Sequence, residues 1–176
     1  MVTFQNLWMK HPTITGPDNP CSSNGRKNFS NQCAIRVGHA LAECGIDTRR
    51  IRGARHCWQH DNAMGHILRA EELARGLDLA NIAGLGKKIE VSPAQFSEAL
   101  KGKTGIIFFK DYWIREGEVT RNASGDHIDL WNGSRLTDWT SWLRIQMRIG
   151  SWGLHSISDA WSDFQDAKAI WFWSAA

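Results

Sequence analysis

The first strong hydrophobic pattern along the chain has helical spacing and predicts a helix over residues 31–44. Its apolar or small positions recur every three or four residues, at Cys33, Val37, Ala40, Leu41 and Cys44. Ser30 or Asn31 is the expected N-cap, and Gly45 is the expected C-cap. Cys33 therefore falls in the first turn of this helix.

Two further helices are expected before the pattern changes. One covers residues 65–77. The other starts at Ser92 and ends near Leu100, with Pro93 as its first helical residue. Gln95 completes a capping box with Ser92.

The second half of the chain shows the patterns of strands. TGIIFFKDYW is a near-continuous apolar run, which is typical of a buried strand. DHIDLW and SRLTDW flank Asn132-Gly133, a dipeptide that strongly predicts a tight hairpin turn. AIWFW near the C-terminus predicts a last buried strand. Helices followed by strands indicate an α+β fold with an antiparallel sheet.

Length and charge restrict the class of protein. A chain of 176 residues is expected to form one domain over residues 1–176, with an irregular lead-in over 1–28. A net charge of +3 without a basic stripe argues against nucleic-acid binding. The polar, proline-rich start does not resemble a signal peptide, and no run approaches the roughly 20 apolar residues of a membrane span. We therefore expect a protein made in the cytoplasm without a cleaved leader.

Ten tryptophans are unusual in a chain of this length. Large aromatic rings bury much apolar area, so a role in the core is favoured, as for Trp171 and Trp173 in the terminal strand. The alternative is a surface groove, for which four tryptophans in polar sequence are the candidates: Trp139, Trp142, Trp152 and Trp161.

The hairpin places a carboxylate opposite a histidine. A two-residue turn at Asn132-Gly133 pairs His127 with Asp138, on one face and about 4.5–5.5 Å apart at Cβ. Asp129 is the alternative orienting group, because it shares the strand and face of His127 but lies about 6.5–7 Å along it. A bulge in either strand would favour Asp129. The alternative to any catalytic role is a solvated cross-strand pair.

Cys33 and His127 together suggest nucleophilic catalysis. The unpaired amides of a helix N-terminus stabilise a thiolate, and a neighbouring imidazole takes up its proton. A helical cysteine followed about 90 residues later by a strand histidine has the chain order of papain-like amidases. The alternative is that Cys33 is a small buried side chain on the helix face of Val37 and Cys44.

The remaining cysteines have weaker signals. Cys44 is expected in the core, and Cys21 and Cys57 are candidates for a disulfide in an oxidising compartment, with the pairing left open. The segment HCWQHDNAMGH adds three histidines around Cys57: His56, His60 and His66. Their spacing matches no zinc-ligand pattern, so no metal site is expected.

Four segments occur in an order that resembles a known family: NQCAIRVGHAL, RAEELA, KGKTGIIFFKDYW and GDHIDLWNGSRLTD. Together they resemble the type VI secretion system amidase effectors of the fourth family, over most of residues 28–140. The cysteine helix and the HIDLWNG strand-turn are specific in combination, whereas either alone would be a weak signal.

The resemblance implies an NlpC-like papain fold with the nucleophile at the N-terminus of a packed helix. It implies a peptidoglycan amidase that cleaves the bond between γ-D-glutamate and meso-diaminopimelate, without a metal or organic cofactor. The catalytic triad maps onto Cys33, His127 and Asp138, and backbone N–H groups of the first turn are the expected oxyanion donors. Arg36 and Asp129 are candidate substrate-binding residues, although Arg36 could equally form a surface salt bridge. No functional residue is assigned after residue 150.

The resemblance also implies partners and a destination. Such effectors are injected by the type VI apparatus into the periplasm of rival bacteria, and a cognate immunity protein blocks the cleft in sister cells. Two other functions compete with this prediction. One is a non-catalytic, tryptophan-rich module that binds the cell wall, and the other is a transglutaminase or deamidase of the same fold.

Overall fold

The computed structural model describes residues 1–60, 64–113, 125–137 and 167–176. The helices, in chain order, are α1 (Phe4–Met9), α2 (Pro12–Thr15), α3 (Cys33–Glu43), α4 (Ala70–Ala80) and α5 (Phe96–Ala99). The strands are β1 (Ser22–Ser23), β2 (Arg26–Lys27), β3 (Ile89–Val91), β4 (Gly105–Trp113), β5 (Gly125–Trp131) and β6 (Ala169–Ser174).

The main sheet has the strand order β3-β6-β4-β5, and every pairing in it is antiparallel. The β4 strand is central, which explains its apolar run, because a strand covered on both faces has no polar face. Ile106 and Phe108 pack with the helices α3 and α4, whereas Ile107 and Phe109 pack with α5. The predicted α+β class with an antiparallel sheet is confirmed.

The cysteine helix is confirmed, although it begins later than expected. Cys33 is the first residue of α3, and Gln32 rather than Ser30 or Asn31 occupies the N-cap position. The inward face of α3 is buried and lies against α4 and the edge strand β5. This packing fixes the position of the helix N-terminus relative to the sheet.

Three sequence predictions are corrected by the structure. The lead-in contains the helices α1 and α2 and the small β1-β2 hairpin, because Leu7 and Val2 bury themselves in the main core. The second helix starts at Ala70, because His66–Leu68 pair with Arg55–Cys57: the Cys57 N–H donates to the His66 carbonyl and the Leu68 N–H to the Arg55 carbonyl. Ser92 makes no side-chain cap, and a 3-10 turn precedes α5.

The hairpin after β5 is also corrected. Trp131 pairs with Leu136, and the Asn132 N–H donates to the Arg135 carbonyl at 3.1 Å, so the turn has four residues instead of two. The Asn132 side chain accepts hydrogen bonds from the backbone N–H groups of Ser134 and Arg135 and so stabilises this wider turn. The predicted pairing of His127 with Asp138 assumed a two-residue turn, so the observed turn removes its basis.

The described tryptophans are mostly internal. Trp131 and Trp173 are each 1% exposed, and Trp171 is half-buried. Trp58 is an exception at 71% exposed. The four tryptophans proposed for a groove lie outside the described residues.

Candidate active site

Cys33 lies where the sequence predicted, in the first turn of a packed helix. Its side chain belongs to the main core cluster, and the residue is 7% exposed. Its backbone N–H, an expected oxyanion donor, donates to Asn31 Oδ1 at 3.0 Å. The donor is thus occupied by a neighbouring side chain in this state.

His127 lies on the edge strand β5 and contacts the cysteine. It pairs with Phe109 of β4, whose ring stacks on the imidazole with the centroids 6.4 Å apart. The Cys33 thiol lies beside the His127 imidazole and interacts with it strongly enough to raise its pKa. Two residues separated by most of the chain are brought together because α3 packs against β5.

A carboxylate lies beside the imidazole. Asp129 Oδ2 is 3.8 Å from His127 Nε2, and Asp129 Oδ1 is 3.6 Å from His11 Nε2. Asp129 is 2% exposed, and it accepts hydrogen bonds from the Leu130 N–H at 2.7 Å and from the Thr137 hydroxyl. The 3.8 Å separation is longer than a hydrogen bond, so the attraction between Asp129 and His127 is chiefly electrostatic.

The charges in this site stabilise one another. Burial disfavours a charged imidazole, but the interactions with Asp129 and Cys33 outweigh it and raise the pKa of His127 to about 10. Burial likewise opposes the charge on Asp129, but His127, His11 and Thr137 hold the pKa of its carboxyl below the ordinary value. A carboxylate and an imidazolium are therefore the expected charge states of this pair at neutral pH.

The other predicted site residues have different placements. Asp138 lies outside the described residues, and its orienting role stays a prediction. The Arg36 guanidinium donates to the Asp18 carbonyl at 2.6 Å, so this contact ties α3 to the lead-in. His11 was not a sequence candidate, because a lone histidine before a proline carries no catalytic signal.

A cleft of 560 Å³ opens at Cys33. It is lined by Ser30, Asn31, Cys33, Leu68, Arg69, Ala70, Glu71, Glu72, Asp111 and Asp126. A bulge in β4 brings Asp111 into this lining with a φ of 49°, in the left-handed region. The described lining carries more carboxylates than cationic groups.

A larger cavity of 680 Å³ is lined by residues between 45 and 52 and between 76 and 83, and its described lining has no cysteine or histidine.

A second group of cysteines and histidines lies in loops beside α3. The ligand atoms of Cys21, Cys57, His60 and His66 all lie within 4.8 Å of one another. Burial and the adjacent Cys57 thiol raise the pKa of Cys21 to about 11, whereas burial, His60 and His39 lower the pKa of His66 to about 4. The Sγ atoms of Cys21 and Cys57 are 3.4 Å apart, so both thiols are free here. Cys57, His60 and His66 lie close together in the sequence. Cys21 lies 36 residues before Cys57 and joins them only in the folded protein.

Comparison with known families decides which family this fold and site belong to. The model of the family described as type VI secretion system (T6SS), amidase effector protein 4, abbreviated Tae4, matches residues 29–173. The chain belongs to this family. The match includes both Cys33 and His127, and the Tae4 family assignment makes the chain an amidase effector of type VI secretion.

Solved structures of Tae4 proteins share the fold. The Tae4 effector of Enterobacter cloacae has a TM-score of 0.61 at 19% identity, covering 100% of this chain and 98% of that chain. A chain of the Tae4-Tai4 effector-immunity complex from the same species has a TM-score of 0.60 at 20% identity, covering 100% of this chain and 100% of that chain. The Tae4/Tai4 system of Salmonella typhimurium has a TM-score of 0.60 at 21% identity, covering 98% of this chain and 96% of that chain. No curated protein matches the sequence.

The predicted NlpC-like papain fold is confirmed by these matches. In the part of the chain that the structure describes, no helix is both long enough and apolar enough to span a membrane.

Proposed function

We propose that this Tae4-family effector hydrolyses the amide between γ-D-glutamate and meso-diaminopimelate in peptidoglycan peptide stems. The observation that carries the proposal is the interaction of the Cys33 thiol, at the start of α3, with the buried His127 imidazole, next to an open cleft. That arrangement is the one a cysteine amidase requires, with the nucleophile and its proton acceptor in direct contact.

The proposed reaction has two halves. The Cys33 thiolate forms a bond to the carbonyl carbon of the scissile amide, while the His127 imidazolium gives its proton to the departing nitrogen and the C–N bond breaks. A water molecule then loses a proton to the neutral imidazole, and its oxygen attacks the acyl-enzyme to release a carboxylic acid and restore the Cys33 thiolate beside the His127 imidazolium. The raised pKa of His127 supports the starting ion pair, because it favours the protonated imidazole.

Two carboxylates are proposed to assist the imidazole. Asp129 stabilises the imidazolium through its charge, since its Oδ2 is 3.8 Å from His127 Nε2 while its Oδ1 accepts the Leu130 N–H. Asp138 stays the predicted orienting residue, on the resemblance alone. The two roles are compatible, because one needs only proximity whereas the other needs a directed hydrogen bond.

The oxyanion donors are proposed to become available on substrate binding. The Cys33 N–H is held by the Asn31 side chain, which is exposed and also lines the cleft. A substrate carbonyl entering above Cys33 would displace that amide oxygen and accept the same N–H. Each such donor typically contributes about 10²–10³ in rate.

The cleft chemistry supports a substrate that carries an amine. Its carboxylates come from α4, β4 and β5, and they are Glu71, Glu72, Asp111 and Asp126. Arg69 is the cationic residue of the described lining. Glu71, Glu72 and Asp111 also form ion pairs, with Lys110, Arg55 and Lys168 respectively, which a substrate ammonium would have to share. Diaminopimelate offers an ammonium group to such carboxylates and a carboxylate to the guanidinium.

Delivery and inhibition are proposed from the family. The type VI apparatus would carry the effector into the periplasm of a rival cell, where peptidoglycan is accessible. A cognate immunity protein, like the Tai4 partners named for the Enterobacter and Salmonella effectors, would block the Cys33 cleft.

Digestion of purified Gram-negative muropeptides, followed by mass spectrometry of the products, tests the reaction. Wild-type protein should separate glutamate from diaminopimelate, and Cys33→Ala should not. Cys44→Ser is the matched control, because Cys44 lies at the other end of α3 and should leave cleavage intact. Cleavage that survives Cys33→Ala would refute the proposed nucleophile. Ammonia release from glutamine substrates without cleavage would instead indicate a transglutaminase or deamidase, and wall binding without any reaction would indicate a binding module.

A further inference from the structure

The group formed by Cys21, Cys57, His60 and His66 has the composition of a metal site. It combines two sulfur and two nitrogen ligands, and Cys21, Cys57 and His66 are buried while His60 is half-buried. None of these side chains takes part in the proposed hydrolysis. The four residues come from two loops on either side of α3 in the chain, so no regular element alone accounts for their convergence.

Three of the six separations between the ligand atoms are close to the edges of a tetrahedron around zinc. Cys21 Sγ is 3.4 Å from Cys57 Sγ and 3.5 Å from His60 Nδ1, and Cys57 Sγ is 3.7 Å from His60 Nδ1. Bond lengths of about 2.3 Å from zinc to sulfur and about 2.0–2.1 Å from zinc to nitrogen give tetrahedral edges of about 3.3–3.8 Å. These three separations fall in this interval, and the ligand atom of His66 lies within 4.8 Å of the other three. A single ion would fit after small shifts that part the two sulfurs and bring His66 closer.

The histidines are arranged as metal ligands usually are. His60 Nε2 lies 3.2 Å from the Ser22 carbonyl, which fixes the proton on Nε2 and directs the Nδ1 lone pair to the sulfurs. His66 Nδ1 is buried and has no hydrogen-bond partner among the described residues. A buried nitrogen without a partner is costly, and a metal ion would remove that cost.

The sulfurs are also supported by donors. The Gln59 N–H donates to Cys57 Sγ at 3.3 Å, and the Asn28 amide donates to Cys21 Sγ at 3.7 Å. Donors aimed at sulfur stabilise the negative charge of a thiolate, which is the form that binds metal.

We propose that Cys21, Cys57, His60 and His66 bind one Zn²⁺ ion as a structural site. A tetrahedral set of two thiolates and two imidazoles favours zinc over the harder divalent ions. Four protein ligands leave no open position for a substrate, so the ion has a structural role. Binding releases the two thiol protons to solvent.

The ion would hold the lead-in against the start of the catalytic helix. The Gln32 side chain pairs with the backbone of Cys21 through two hydrogen bonds, of 3.0 Å and 2.8 Å, and Gln32 directly precedes Cys33. Ile35 of α3 packs against Cys21 and Cys57. A zinc ion between the two loops would therefore restrain Gln32, and through it the position of Cys33.

The test is the metal content and the cobalt spectrum of the full-length protein, purified under reducing conditions without a metal-affinity step. Elemental analysis should find about one zinc per chain. Cobalt(II) added to metal-free protein should give the strong visible bands of a tetrahedral site and a sulfur-to-cobalt charge-transfer band. Chelation of the zinc should lower Tm by about 10 °C, and added zinc should restore it.

The variants assign the site. Cys57→Ser and His60→Ala should each lose the stoichiometric zinc and the cobalt spectrum. Cys44→Ser, a free cysteine outside the cluster, and Cys33→Ala should keep both. Because metal content is measured without substrate, its outcome is independent of whether the protein is an amidase.

Three results would overturn the proposal. Wild-type protein without bound zinc or a cobalt spectrum, and with four free thiols, would show that the cluster does not bind metal. A Cys21–Cys57 peptide cross-link found under the same reducing conditions would show that the two sulfurs form a disulfide instead. Full metal binding by both Cys57→Ser and His60→Ala would place the ion elsewhere.

Discussion

Two regions of this protein combine cysteine and histidine side chains, yet the charge states of their histidines differ. At the candidate active site, Asp129 and Cys33 raise the pKa of His127 to about 10. In the loop cluster, burial and a second histidine lower the pKa of His66 to about 4. The comparison shows that the neighbours of an imidazole, more than its burial, determine its charge. The first environment suits proton transfer, and the second suits a neutral ligand.

The architecture of the two regions differs as well. Cys33 and His127 are placed by a helix and a strand that pack together in the core. The cluster is placed by loops, which are tied to α3 by Gln32 and by close backbone contact at Gly38 and Gly65. Changes at the first region should therefore affect rate, whereas changes at the second should affect stability.

The largest expected effect separates the two regions by activity. Cys33→Ala should lower kcat/KM on muropeptides by at least about 10⁴-fold, because the nucleophile has no substitute. Thermal unfolding should change little, since the substitution removes a single sulfur atom beside an open cleft. Chromatography of the digestion products measures the rate, and Cys44→Ser is the control. A loss of less than tenfold would contradict the assignment.

A second experiment compares the two carboxylates. Asp138→Asn should lower kcat by about 10³–10⁴-fold if that side chain orients the imidazole through a hydrogen bond. Asp129→Asn should have a smaller effect on kcat, of about 10- to 100-fold, because it removes only a charge at 3.8 Å. Both variants are isosteric, so each is the other's control in muropeptide kinetics. The opposite ranking would transfer the orienting role to Asp129.

The contact between the two regions can be broken without touching either set of side chains. A Cβ added at Gly38 of α3 would lie 2.2 Å from the Gly65 carbonyl oxygen, next to His66. Gly38→Ala should therefore lower the free energy of unfolding by about 1–3 kcal/mol, measured by urea denaturation. Glu43→Ala, an exposed change on the same helix, should alter it by less than about 0.5 kcal/mol. Equal stability of the two variants would show that the loop shifts freely away from α3.

The pH dependence of stability tests the charge state of His127. The pKa of His127 is raised from 6.5 to about 10, so the folded state binds this proton more tightly than the unfolded state does. The resulting stabilisation is fully present below about pH 6.5 and is lost as the pH rises through 10. The stability advantage of wild type over His127→Gln should shrink across that range in urea denaturation. An advantage that is constant from pH 6 to 10 would exclude a protonated His127.

Asp129→Asn tests how much of the raised pKa of His127 comes from the neighbouring carboxylate. Loss of the neighbouring carboxylate should lower the pKa of His127, which NMR titration of the imidazole measures directly. An unchanged pKa would leave Cys33 as its main determinant.

Some features followed from local pattern. The helix with Cys33 in its first turn, the strands β4, β5 and β6 and the α+β class were all predicted, because each depends on hydrophobic spacing within one segment. The capping box at Ser92 and the two-residue hairpin were wrong. For the hairpin, the Asn132 side chain of the motif itself accepts the Arg135 N–H and stabilises a wider turn.

The sequence by itself determined which residue types carry the chemistry and on which elements Cys33 and His127 stand. Only the tertiary structure decided which side chains meet. It brought Cys33 to His127 and Cys21 to Cys57, His60 and His66. The physical reason is that periodicity reports the burial of a residue within its own element, whereas a contact between loops depends on packing across the whole chain.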